Sequence, residues 1–336
     1  MALGDKDSII GVVGGGAWGT ALASTAAQAG RPVRLWAMEA EVADDINANH
    51  RNDIFLPGID LDPAITASND MDYLAACDAI LLVPPAQHLG TVASNVTGAV
   101  GGDTPLVICS KGIEIASLRL MSDILADVAP TNPAMVLSGP TFAAEVATNK
   151  PSAVTLASSD DALAAQMVDA IGHSRFRPYL SDDIIGAQIG GAIKNVLAIA
   201  AGVAAGADLG DNASALLITR GLAEIMRLGD HLGGRRETLM GLSGLGDLLL
   251  TCGSTQSRNM SLGKALGEGK TLEEVMATRR SVAEGVHTAK AVARLCQEND
   301  IDMPICLAMD RVLHHGAAVE EEIEALLHRP FVVETA

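Results

Sequence analysis

At 336 residues the chain is long enough for two packed domains, each with its own core. Charged residues make up 19%, which argues against extensive disorder, and aromatics only 2%, so the core must be built from aliphatic side chains and Met. With 23 basic against 41 acidic residues the net charge is −18, which argues against nucleic acid or an anionic membrane as partner. An anionic ligand would need a local basic pocket.

Along the chain, short apolar runs at Ile9–Val13, Val33–Ala37, Ala79–Val83, Leu106–Cys109, Met135–Leu137 and Ala153–Ala157 read as strands. Between them lie helix-like segments such as Trp18–Gln28, Glu41–Asn49, Leu118–Val128 and Asp161–Ile171. This alternation predicts parallel strands joined by right-handed crossovers. Ile9–Val13 runs straight into glycines and reads as a strand, not as a signal peptide. After about Asp182 the strand signal stops. Helices are predicted at Ile184–Ala205, Ala213–His231, Arg258–Leu266, Leu272–Ala277, Val286–Asn299, Ile305–His314 and Glu320–Leu327. The expected division is therefore residues 1–183, a doubly wound α/β domain, and residues 184–336, an all-α domain, with ligand in the cleft between.

The five cysteines, Cys77, Cys109, Cys252, Cys296 and Cys306, are scattered without C-x-x-C spacing and read as reduced core thiols. No uninterrupted apolar run reaches the roughly 18 residues of a membrane span. The eight histidines show no metal-ligand spacing, so no metal is expected.

Gly14, Gly16 and Gly19 form G-x-G-x-x-G between the first strand and an Ala-rich helix, the context that a Rossmann-type dinucleotide loop requires. The first glycine permits the tight turn, the second lets the backbone approach the pyrophosphate, and the third packs helix on strand. A plain tight turn is the competing reading. Glu39 stands where an acidic residue would meet the ribose hydroxyls, or it is simply a carboxylate at a helix N-terminus. Met38 beside it offers a 2′-phosphate little help, which tilts the reading towards NADH over NADPH.

Four further segments stand out: Ser110-Lys111-Gly112, Ser138-Gly139-Pro140-Thr141, Gly190-Gly191-Ala192-Ile193-Lys194-Asn195 and Gly244-Leu245-Gly246-Asp247, the last followed by Gln256-Ser257-Arg258-Asn259. Lys111 ends a strand, where the loops of an open parallel sheet meet ligand, or it is a surface lysine on a turn. Thr141 offers a hydroxyl to ligand, or serves as a helix N-cap. Lys194 lies in an otherwise apolar helix and needs a partner or a depressed pKa, unless it snorkels to the surface. Asp247 lies in a Gly-rich loop, where capping the loop is the simpler role. Arg258 and Asn259 open a helix, suited to a phosphate dianion through helix-start amides and a guanidinium fork, or forming an ordinary polar first turn.

Together with Gly-x-Gly-x-Trp-Gly-Thr at the first loop, these motifs resemble bacterial NAD(P)-dependent glycerol-3-phosphate dehydrogenases over Ile9 to about His315. The resemblance implies reversible reduction of dihydroxyacetone phosphate to sn-glycerol 3-phosphate, with Lys194 as catalytic acid/base. It implies substrate contacts from Lys111, Gly139, Thr141, Lys194, Asp247, Ser257, Arg258 and Asn259. It implies NAD(H) or NADP(H) held by Gly14, Gly16, Ala17, Trp18, Gly19, Met38, Lys111, Ala143 and Arg258. Val282 and Glu284, in Val282-Ala283-Glu284-Gly285, match a family segment associated with the cofactor, although a lone Glu on a loop is more often solvent-exposed. A cytoplasmic homodimer serving phospholipid synthesis is the corresponding expectation. The alternatives are a related two-domain hydroxy-acid or sugar-nucleotide dehydrogenase, and a non-catalytic nucleotide sensor. Neither should carry all of these motifs together.

Overall fold

The computed structural model describes residue 3, residues 5–277 and residues 283–330. The first half alternates β1 (Ile10–Val13), α1 (Ala17–Gln28), β2 (Val33–Trp36), α2 (Ala40–Asn49), β3 (Ile65–Ser68), β4 (Ala79–Leu82), α3 (Leu89–Ala99), β5 (Leu106–Ile108), α4 (Met121–Val128), β6 (Ala134–Ser138), α5 (Ala143–Ala147), β7 (Ser152–Ser158), α6 (Asp161–Ile171) and β8 (Phe176–Ser181). From Ile184 on, every element among the described residues is helical. These are α7 (Ile184–Gly206), α8 (Gly210–Leu232), α9 (Arg236–Leu239), α10 (Asp247–Cys252), α11 (Arg258–Gly267), α12 (Leu272–Ala277), α13 (Glu284–Asn299), α14 (Pro304–His314) and α15 (Val319–Leu327).

The strands form one sheet in the order β3-β2-β1-β4-β5-β6-β7-β8. Every residue of β1, β4 and β5 is buried, as expected for parallel strands covered on both faces. Strand order reverses between β1 and β4, so their C-terminal ends open the crevice where such sheets hold ligand.

Several expectations need correction. β7 pairs antiparallel with β6, so the sheet is not wholly parallel. β3 and β8 were not anticipated, and both lie at sheet edges, where half-exposed strands lose the continuous apolar signal. The helix expected from Leu118 begins at Met121, because Leu118 adopts a left-handed conformation (φ 60°).

The helical half is built around α7, which is buried from Gly186 to Ala204. By length and hydropathy α7 alone among the described helices could cross a membrane, but 89% of its apolar window is buried inside the protein. Reciprocal Gly-x-x-x-Gly stripes bring α7 and α11 together. A Cβ on Gly202 would stand 2.1 Å from the Met260 carbonyl oxygen, and one on Gly263 would stand 1.9 Å from that of Ile199. With so few large side chains, close backbone approach supplies the dispersion contacts that aromatics would otherwise make. The same approach fixes the start of α11 relative to the middle of α7.

Gly263→Ala should therefore destabilise the protein by about 1–3 kcal/mol through overpacking. Gly98→Ala, at an exposed helical position with open space beside it, should stabilise it by roughly 0.5–1 kcal/mol. Denaturant melts of the two variants check this. A Gly263→Ala protein as stable as Gly98→Ala would contradict the close crossing.

Candidate active site

The β1–α1 turn carries the glycine loop. Gly14 adopts φ 125°, and a Cβ there would stand 2.9 Å from the Val83 carbonyl oxygen. A Cβ on Gly19 would stand 1.9 Å from the Gly14 carbonyl oxygen, so only glycine lets α1 start against the turn. Gly16, at the N-cap of α1, has nothing within 4 Å of its missing side chain. The protein itself does not need that space; a pyrophosphate approaching the α1 amides does. The indole N–H of Trp18 is buried without a partner, a second donor left for a ligand. The loop thus fits a dinucleotide. Asn52, buried, pins it by donating to the Gly15 carbonyl at 2.7 Å and to Thr20 Oγ1 at 2.8 Å. Ala17 and Trp18 are the first residues of α1. Met38 is 73% exposed just beyond β2, and Glu39 is the N-cap residue of α2, with no side-chain capping bond. Ala143 opens α5, packed towards the sheet core.

Where the halves meet, the Asp247 carboxylate is shared by two lysines. Lys194 Nζ, from α7, donates to Oδ1 at 2.5 Å. Lys111 Nζ, from the loop after β5, donates to Oδ2 at 2.7 Å and to the Gly139 carbonyl at 3.1 Å. Lys194 and Asp247 are buried, at 6% and 0% exposure. Burial drives the Lys194 pKa down; Asp247 opposes this and Lys111 adds to it, leaving it at about 8. Two cations against one anion give a local positive charge in an acidic molecule.

Paired glycines in α7 make the arrangement possible. A Cβ on Gly190 would lie 2.3 Å from the Ser243 carbonyl oxygen, in the π-helical turn Leu242–Gly246 that delivers Asp247. One on Gly191 would lie 2.7 Å from Ser138 Oγ and 3.3 Å from Lys111 Cδ. Asp247, expected in a loop, is the first residue of α10; the glycines before it form the π-helical turn instead of an open loop. Its carbonyl accepts from Thr251 Oγ1 at 2.6 Å.

At the start of α11, Ser257 is the N-cap, its Oγ accepting from the Met260 amide at 3.2 Å. The Asn259 side chain donates to Asn195 Oδ1 at 2.9 Å and accepts from the Gly285 amide at 3.0 Å, tying α11 to α7 and α13. Arg258 is exposed and faces Glu284. Burial pushes the Glu284 carboxyl up, opposed by the Ala86 amide and the Arg258 charge. Glu284 is no solvent-facing loop residue: its Oε2 would stand 4.0 Å from a Cβ on Gly112, so it bridges from α13 to the sheet half.

Lys111, Gly139, Lys194 and Asp247 are thus in direct contact, and Asn259 joins them through Asn195, the neighbour of Lys194. Thr141 is not the N-cap of α5; Phe142 is, and the Thr141 hydroxyl turns back to donate to the Gly139 carbonyl at 3.3 Å. Val282 lies outside the described residues. Sequence reasoning gave no role to Asn195, although it adjoins Lys194, nor to Thr251, visible as the i+4 neighbour of Asp247 once α10 is recognised. Asn52 carries no local signal.

Comparison with known proteins places the chain in a family. Family models for the NAD-dependent glycerol-3-phosphate dehydrogenase N-terminus and C-terminus match residues 9–164 and 183–324. Glycerol-3-phosphate dehydrogenase [NAD(P)+] of Rhodospirillum rubrum is 57% identical, over 97% of this chain and 93% of the relative. The enzyme of Parvibaculum lavamentivorans is 54% identical, over 97% and 98%. The crystal structure of glycerol-3-phosphate dehydrogenase from Coxiella burnetii superposes with a TM-score of 0.93 at 37% identity, covering 97% of this chain and 100% of that one. Matched along both halves, and more than half identical to curated relatives over nearly its whole length, this protein belongs to the NAD-dependent glycerol-3-phosphate dehydrogenase family.

Proposed function

We propose that the enzyme reversibly reduces dihydroxyacetone phosphate to sn-glycerol 3-phosphate, using NAD(H) or NADP(H), with residues 1–183 as cofactor domain and 184–336 as substrate domain. The observation that carries the reading is the Asp247 carboxylate shared by Lys194 and Lys111. Gly14, Gly16, Ala17, Trp18, Gly19, Met38, Ala143 and Glu284 would hold the cofactor, which when bound supplies or accepts the hydride. The exposed, uncharged Met38 favours NADH.

Lys194 carries the proton chemistry. With a pKa of about 8 it is mostly ammonium at neutral pH, able to give a proton to the carbonyl oxygen of the ketone and to recover it in reverse. Asp247 holds that amine in place, and Lys111 adds positive charge near the developing alkoxide. Arg258 and the first amides of α11 suit the phosphate, fixing the reacting carbon. Ser257, Asn259, Gly139 and Thr141 shape the same wall. The reading extends to a cytoplasmic homodimer that supplies the glycerol phosphate backbone of phospholipids.

Lys194→Ala should lower kcat roughly 10²–10⁴-fold while NADH fluorescence titration is unchanged; undiminished turnover would refute the role. In the parent, ketone reduction should fall as pH rises through about 8 and alcohol oxidation should rise over the same range, because the first needs the ammonium and the second the free amine. Profiles with no inflection near that pH in either direction contradict the assignment.

Arg258→Ala removes a charge-assisted contact worth about 1.5–3 kcal/mol, so KM for the phosphate substrate should rise about 10- to 100-fold. An unchanged KM would move the phosphate elsewhere.

A further inference from the structure

The loop after β5 that carries Lys111 belongs to both halves of the molecule. Its first residues leave the sheet at Ser110, whose hydroxyl donates to the Pro84 carbonyl, and Ile113 pairs in a bridge with Leu120. Ile113 and Leu120 are buried in the hydrophobic core of the helical half, not in that of the sheet. Arg294 of α13 donates to the Ile115 carbonyl at 2.6 Å. Residues 110–120 thus form a strap fastened to the helical half.

On the sheet side one side chain grips it. Gln87, in the 3-10 turn Ala86–His88 after β4, donates from Nε2 to the Ile113 carbonyl at 2.8 Å. Its Oε1 accepts from the Ile115 amide at 3.0 Å. Two backbone groups just downstream of Lys111 are therefore satisfied by one planar amide, which resists both sliding and rotation of the strap. Gly112 lies tight against the same turn: a Cβ there would stand 2.6 Å from Ala86 Cβ. Lysine reaches its partners on a flexible four-carbon stem, so the place of its ammonium depends on where its backbone is held.

We propose that Gln87 is a positioning residue for the reaction: by clamping Ile113 and Ile115 it sets the reach of Lys111 to Asp247 and Gly139, and through Asp247 the charge balance at Lys194. This rests on the function proposed above. Lys194 faces Asp247 and Cys252 from α10 and Lys111 from the strap, and the Lys111 charge is one of the influences that depress its pKa. A loosened strap would relieve that repulsion and raise the Lys194 pKa. A side chain that merely stabilised the fold would leave the pH profile where it was.

The test compares Gln87→Met, Lys111→Met and the double variant, following kcat for ketone reduction, its pH limb, KM, NADH binding and Tm. Gln87→Met should lose roughly tenfold in kcat with little change in KM or NADH binding. Its alkaline limb should move to higher pH. In the Lys111→Met background the same substitution should change kcat by less than about twofold, because the two residues act as one unit. If Gln87→Met is too unstable to assay, Gln87→Glu is the same size and keeps the acceptor for Ile115 while losing the donor to Ile113, so it carries the same comparison. Parental kcat and pH limb in the Gln87 variant, beside an impaired Lys111→Met, overturn this inference alone. An equal loss with and without Lys111 also overturns it. Parental kcat in Lys111→Met overturns both this inference and the role given to Lys111.

Discussion

One carboxylate holds the site together. Asp247 is fully buried and accepts from Lys194 of the helical half and Lys111 of the strap, so strap and helices must stand in one relation for both ammoniums to reach it. Removing one partner of a buried pair costs roughly 3–5 kcal/mol, because the remaining charge is stranded. Here the excess runs the other way: two ammoniums share one anion, and the surplus positive charge is what an anionic substrate needs in a molecule of net charge −18.

The rest of the fold serves that relation. The reversal of strand order between β1 and β4 opens the crevice, and β5 and β6 deliver Lys111 and Gly139 to its wall. On the helical side, glycines replace side chains wherever backbones must meet: Gly190 and Gly191 admit the turn of Asp247 and the stem of Lys111, while Gly202 and Gly263 seat α11 on α7. Any side chain at these crossings would meet backbone or the lysine stem and push the charged groups apart. Helix α14 shows the same economy of design. Its first amides, at Ile305 and Cys306, are met by the buried Glu224 of α8 at 2.7 and 3.1 Å, because Met303 at the N-cap makes no side-chain capping bond of its own.

Much of this was legible in the residues. The apolar run of β1 followed by Gly14, Gly16 and Gly19 marked the dinucleotide loop, and a lone Lys194 in an apolar helix marked a charge needing a partner. No local signal named the partner. Lys194 and Asp247 are 53 residues apart, Lys111 and Asp247 136, and no local period encodes such contacts. The glycines before Asp247 read as loop because a π-helical turn and a loop share composition. Direction in β7 and the presence of β3 and β8 were settled by sheet pairing, which short edge segments do not announce. Gln87 and Asn52 escaped notice because a polar residue that hydrogen-bonds distant backbone looks, in sequence, like any solvated one.

The central claim is electrostatic, and competitive acylation of the Lys194 amine across pH, read by peptide mass spectrometry, addresses it directly. In the parent enzyme the reactivity should titrate at about 8. In Asp247→Asn it should titrate lower, since burial and Lys111 still oppose the charge while the attraction that sustained it is gone. Titration near the ordinary lysine value of about 10.4 in the parent, or no change on losing the carboxylate, would contradict the account.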